Sequence, residues 1–153
     1  MLVADGCDGT TLVGLADRLT NEGAVPRFVA TTLGSVQPAE GEAIEVDVSL
    51  EAAPAVLYDA LVLPDGAAAV EALRADGRTL EFIKDQYRHC KPILVFGASD
   101  QLLEAAGIDA ALPSGQPDPG LLVASDLGTA GDDFIAAIAK HRHFARETDP
   151  PRI

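Results

Sequence analysis

Residues Lys91 to Gly107, Lys-Pro-Ile-Leu-Val-Phe-Gly-Ala-Ser-Asp-Gln-Leu-Leu-Glu-Ala-Ala-Gly, constrain the fold more than any other stretch of this chain. The apolar run Ile93 to Phe96 reads as a strand buried on both faces. Gly97-Ala98 is a sharp small-residue turn. Ser99 is placed to cap a helix that Gly107 closes. A strand entering a helix through such a turn is where α/β enzymes expose a nucleophile. Here the apex is Gly97, which has no side chain. Gly97, Ala98 and Ser99 therefore read as a degenerate elbow, an active-site architecture without its reactive atom.

The remaining elements alternate around this unit. Leu2 to Ala4 is a short apolar strand ending in Asp5-Gly6, as if the domain were cut from a longer chain. A helix over Thr10 to Glu22 puts Leu12, Leu15, Ala16 and Leu19 on one face, and Gly23 stops it. Val25 to Ala30 is a second strand with Pro26 near its start. Ser35 to Val48 alternates weakly about Ala39-Glu40-Gly41, as a hairpin does. Tyr58 to Leu63 is an apolar strand, followed by Pro64-Asp65-Gly66 and a short helix over Ala67 to Ala75. Asp76 caps a helix over Gly77 to His89, with Leu80, Ile83 and Tyr87 on one face. Asp109 to Gly120, with its prolines and glycines, is loop. Leu121 to Ala124 is a last strand. Asp132 to Arg146 is a closing helix with Phe134, Ile135, Ile138 and Ala139 inward, and Asp149 to Ile153 is a tail.

Strand–helix alternation with uninterrupted apolar strands predicts a mainly parallel sheet covered on both faces. The expected fold is a three-layer α/β/α, flavodoxin-like sandwich with a small hairpin, a single domain over residues 1–153. Ligands in such sheets bind beyond the carboxyl ends of the strands. Those ends are Asp5-Gly6-Cys7-Asp8, Pro64-Asp65-Gly66, Gly97-Ala98-Ser99 and Ser125-Asp126.

Composition excludes several functions. With 24 acidic and 11 basic residues the net charge is -13, the wrong sign for nucleic acid. No apolar run is long enough to span a bilayer, and no signal peptide is visible. Two cysteines make no disulfide framework, so a reducing cytoplasm is the expected compartment. Flavin would need the amides near Gly9-Thr10-Thr11 for its phosphate, but Asp5 and Asp8 repel that group, and aromatics are scarce. A phospho-receiver could draw an acidic magnesium pocket from Asp5, Asp8 and Asp65. It would also need a Ser or Thr at the elbow and a Lys after the last strand, and both are missing. The plainer reading is that these aspartates cap turns and helices. Cys7 lies on the functional edge and Cys90 on the opposite one. The histidines, His89, His141 and His143, sit at helix C-termini, where they complement the dipole. They read as surface residues, and the thiols as small buried groups. His141 and His143, two apart on a helix, diverge and make no metal pair.

The order of elements, with Lys91-Pro92-Ile93 and its elbow, resembles the PfpI-like, class I glutamine-amidotransferase-like superfamily. In active members the elbow carries a cysteine, where this chain has Gly97. The acidic partner falls near Thr11, and the histidine has no counterpart between Gly107 and Gly120. Peptidase, amidotransferase and deglycase activities are not carried over. The chain is most similar to the branch formed by the C-terminal domain of large-subunit haem catalases. The matching segments are Leu2-Val3-Ala4-Asp5-Gly6, Tyr58-Asp59-Ala60-Leu61-Val62-Leu63-Pro64-Asp65-Gly66, Tyr87-Arg88-His89-Cys90-Lys91-Pro92-Ile93, Asp133-Phe134 and Ala139-Lys140-His141-Arg142.

That resemblance implies a domain without catalytic, cofactor or metal residues of its own. It implies a covalently linked catalase core that carries the haem, breaks hydrogen peroxide into water and oxygen, and forms a homotetramer. The domain's expected role is to support folding and stability. The alternative is a free-standing PfpI-like protein with a degenerate site that senses oxidants through Cys7.

Overall fold

The computed structural model describes residues 1–148. The predicted tail Asp149 to Ile153 lies outside them. The elements, in chain order, are α1 (Gly9–Asn21), β1 (Val29–Ala30), β2 (Ser35–Val36), β3 (Ile44–Glu45), β4 (Val48–Ser49), β5 (Leu61–Leu63), α2 (Ala67–Arg74), α3 (Gly77–Arg88), β6 (Ile93–Phe96), α4 (Asp100–Ala105), β7 (Leu121–Ala124) and α5 (Ala130–Ala139). Tight 3₁₀ turns cover Ala55–Leu57, Gly97–Ser99 and Phe144–Thr148.

β5, β6 and β7 form a parallel sheet in that order, with Leu63 opposite Val95 and Phe96 opposite Ala124. β1 and β4 pair in parallel. The N-terminal segment joins the two sets: the Leu2 amide donates to Val62 O, and the Val3 amide to Val29 O. The strand sequence across the molecule is therefore β4, β1, the Leu2 segment, β5, β6, β7, the flavodoxin-like order. β2 and β3 form the expected antiparallel hairpin.

Side-chain alternation sorts the core into two layers, because successive strand residues point to opposite faces. Leu2, Leu61, Leu63, Ile93 and Val95 face Leu73 of α2, Phe82, Ile83 and Tyr87 of α3, and Leu102 and Leu103 of α4. Val3, Val62, Leu94 and Phe96 face Leu12, Leu15 and Leu19 of α1 and Phe134 of α5. All four side chains of β6 are buried, each stabilising the fold by about 1.5–3 kcal/mol relative to exposure. The predicted α/β/α sandwich is thus the observed one.

Several expectations are corrected. Val25 to Ala30 is strand only at Val29–Ala30, because Val25 stands exposed and Pro26 offers no amide. Val48 leaves the hairpin to join the parallel sheet beside β1. The closing helix ends at Ala139 rather than Arg146: His141 takes φ 64°, which breaks the helix and turns the chain back. Phe134 is inward as expected and Ile135 and Ile138 are half-buried, but Ala137 takes the inward place expected of Ala139, which is exposed.

That return is anchored by Arg146. Its Nε meets Asp118 Oδ2 at 2.5 Å, with both side chains buried. Its Nη1 donates to Lys91 O at 2.7 Å, and its guanidinium lies 4.3 Å over the Tyr87 ring. His143, read as a surface residue, is buried here, with Nε2 3.2 Å from Ala137 O. Gly120 makes room for it, since a Cβ there would collide with the imidazole.

Candidate functional site

The elbow forms as the sequence predicts. Phe96 ends β6, Gly97 takes φ +47°, and Gly97–Ser99 make a 3₁₀ turn into α4. Ser99 does not cap α4. It is fully buried, and its hydroxyl donates to Pro64 O instead, tying the elbow to the end of β5.

The place where an elbow side chain would stand is already filled. A Cβ built on Gly97 would fall on the carboxylate of Asp65. Asp65 Oδ1 accepts the Ala98 amide at 3.0 Å and the Gly66 amide at 2.7 Å. In a nucleophile elbow, the amide following the nucleophile is one of the donors that stabilise the oxyanion. Here that donor is bound to a fixed internal carboxylate. The elbow lacks its nucleophile, and its anion-binding amide is occupied.

The neighbouring loops close around this pair. The Asp8 amide donates to Asp65 O at 3.0 Å. Asp8 caps α1, accepting the Thr11 amide at 3.0 Å and the Thr11 hydroxyl at 2.7 Å. One of the amides that a flavin phosphate would need, that of Thr11, is therefore satisfied by a carboxylate. Asp5 accepts the Gln37 amide at 2.8 Å. Three expected strand ends thus come together, and their aspartates serve turns, a cap and the elbow. A cleft of about 430 Å³ above them is lined by Gly6, Asp8, Thr10, Thr11, Ala39, Glu40, Asp65 and Gly66. Ser125-Asp126 does not join it and lines a separate cleft with Thr129 and Asp133. Among the described residues, no group of three or more His, Cys, Asp or Glu is gathered to hold a metal ion.

Cys7 is wholly buried, packed with Val3, Leu12 and Ala69 beneath the loop. Burial pushes its thiol up, with Asp8 and Asp5 adding to the effect. A fast-reacting thiol needs the opposite shift. Cys90 is also buried, in the turn after α3. Lys91, within the segment that carries the resemblance, is buried too. Its Nζ donates to Val56 O at 2.8 Å and to Tyr58 O, holding the approach to β5.

Haem does not fit these residues. The buried side chains of ligand type are Met1, Cys7, Cys90, Tyr87 and His143, with Met1 and Cys7 packed in one core layer and Tyr87 in the other. The imidazole meets Ala137 O, and the Tyr87 ring is covered by Arg146.

The sequence missed the relation between Asp65 and Gly97. In the sequence both stand at strand ends, with Asp65 as a possible magnesium ligand. The available signal was the pairing of a glycine apex with an acidic residue at the end of the adjacent strand.

A parallel α/β sandwich with a side-chain-free apex at its elbow defines a class: a DJ-1/PfpI-like fold with Gly97 at that apex. A DJ-1 superfamily protein from Salmonella typhimurium superimposes with TM-score 0.77 at 21% identity, over 91% of this chain and 86% of that one. Drosophila melanogaster DJ-1beta gives 0.76 at 18% identity, over 93% and 88%. These likenesses concern the fold alone. The family model for the C-terminal domain found in long catalases matches residues 2–148, and the chain belongs to that family. Catalase HPII of Pseudomonas aeruginosa is 30% identical over 147 residues, 96% of this chain and 20% of that protein. Catalase C of Rhizobium meliloti is 35% identical over 147 residues, again 96% and 20%. The chain thus spans about a fifth of the length of these catalases. No helix among the described residues is long and apolar enough to cross a membrane.

Proposed function

We propose that this domain is a folding and stability module for a covalently attached haem catalase core, working within the core's homotetramer in the cytoplasm. Haem and peroxide chemistry belong to the core, and residues 1–153 act as one non-catalytic domain. The observation that carries this reading is the Asp65 carboxylate lodged at Gly97, which blocks the fold's usual site from within. Membership in the family of C-terminal domains of long catalases, and relatives of which the chain spans about a fifth, support that parent. The two core layers share one sheet, which supports independent folding. Large chains that expose apolar surface before assembly gain most from such a partner, and a charge of -13 opposes aggregation.

The test is deletion of the domain from the full catalase. Recovery of active enzyme after heat or denaturant is expected to fall, while the haem spectrum and turnover of the surviving enzyme stay unchanged. Domain added in trans is expected to restore part of the yield. Equal refolding yield and equal thermal inactivation rate with and without the domain would overturn the role.

A further inference from the structure

A trough of about 700 Å³ lies between the outer side of α1 and the segment through β3 to Asp47. Its floor is apolar: Val13, 44% exposed on α1, with Pro26, Phe28 and Ile44. Its rim is acidic: Glu40, Glu42, Glu45 and Asp47. Asp47 is already engaged by Arg27 Nη1 at 3.3 Å and by the Phe28 amide at 2.7 Å. Glu40, Glu42 and Glu45 are exposed, and no basic side chain pairs with them among the described residues. Apolar floor and unneutralised acidic rim occur together on this surface, beside the elbow cleft, with which the trough shares Thr10 and Glu40.

We infer that this trough docks a lysine- or arginine-bearing apolar segment of the attached catalase core while that core is incompletely folded. The inference rests on the support role proposed above and names the surface through which it acts. Charge complementarity selects the occupant. A cationic segment meets three free carboxylates while its apolar side chains cover Val13 and Phe28, whereas an acidic segment is repelled. A second copy of the chain also carries -13 and is disfavoured for the same reason. The trough is open to solvent, so a rim of exposed charges acts chiefly on encounter and on salt dependence.

The experiment has two arms. In the first, the 153-residue chain is titrated with a synthetic peptide alternating lysine and leucine, and with a glutamate–leucine peptide of the same length. Saturable binding is expected for the lysine peptide alone, with amide shifts at Val13, Phe28 and Glu42. Combined Glu40→Lys, Glu42→Lys and Glu45→Lys reversal is expected to weaken it at least about tenfold. Glu71→Lys, Glu104→Lys and Asp109→Lys, which make the same change in net charge elsewhere on the exposed surface, are expected to leave it within about twofold. Val13→Ser tests the floor and is expected to weaken binding several-fold. Equal loss in both triple variants, or shifts spread over the whole surface, would reduce the effect to net charge and overturn the site. In the second arm, the rim reversal is placed in the full catalase and refolding is compared with the deletion. Loss of yield with both supports the docking site. Loss with the deletion alone overturns the trough and leaves the support role standing. Loss with neither overturns both.

Discussion

The Asp65 carboxylate occupies the space that a side chain on Gly97 would need, and it accepts the amide of Ala98 next door. Neither residue makes sense alone. Glycine at a φ of +47° is unstrained, and its missing Cβ is what admits the carboxylate. In turn, the carboxylate satisfies two amides that the turn would otherwise leave without a protein acceptor.

The pair predicts a coupling. Asp65→Ala should destabilise the domain by about 1–3 kcal/mol, the cost of leaving partly buried donors unmade. Gly97→Ala should cost ~1–2 kcal/mol from backbone strain, with displacement of Asp65 in addition. In an Asp65→Gly background the collision disappears, so Gly97→Ala should cost less there than in the parent chain. Urea unfolding of the four variants measures this, and additive costs would refute the steric relationship.

Gly97→Cys restores the thiol at the elbow but not its surroundings. Thr11 stands where the acidic partner would fall and no histidine lies between Gly107 and Gly120, while the new Cβ collides with the Asp65 carboxylate. Peptidase and deglycase assays of this variant should match the parent chain within error. A measurable turnover would show that the elbow needs only its nucleophile.

The buried Arg146–Asp118 pair fixes the returning C-terminal segment. Arg146→Met leaves Asp118 buried without its cation, for an expected loss of about 3–5 kcal/mol. Adding Asp118→Leu should recover part of this, although the Gly120 amide then loses its acceptor. Thermal or urea unfolding reads both. A single variant as stable as the parent would show that the segment is not anchored through Arg146.

What the sequence made legible follows the distance over which its signals act. The uninterrupted apolar runs Leu61–Leu63 and Ile93–Phe96, the α1 face of Leu12, Leu15 and Leu19, and the Gly23 stop are local, and they reappear in the structure. Gly23 and Ala24 donate to Thr20 O and Leu19 O, closing α1 as a glycine at that position does. What stayed hidden depends on contacts between distant segments. Gly120 read only as loop, yet it exists beside His143 because the imidazole needs its space. His143 read as a helix-end surface residue, and the turn at His141 buries it. Asp65 met Gly97 only once β5 and β6 lay side by side.

Cys7 and Cys90 should be silent in the folded chain. Both are buried, and burial pushes the Cys7 thiol up. Alkylation at neutral pH should be much slower than for a free thiol and should become complete in urea. Fast, selective labelling of native Cys7 would revive the oxidant-sensing alternative.

His143 should make the domain sensitive to mild acid. Burial holds its imidazole below the ordinary 6.5, with Arg146 and Lys140 pushing the same way and Asp118 and the Ala137 carbonyl opposing. From 6.5 down to the lowered folded value, the unfolded chain binds a proton that the folded chain refuses. Stability should therefore fall as pH drops through that window, and the full contribution is present above it. His143→Gln keeps a donor for Ala137 O but cannot titrate. Its unfolding free energy, followed from pH 7.5 to about 5, should lose less than that of the parent chain over the same range. Parallel slopes for the two proteins would show that the imidazole titrates alike in both states, and that carboxylates alone set the acid response.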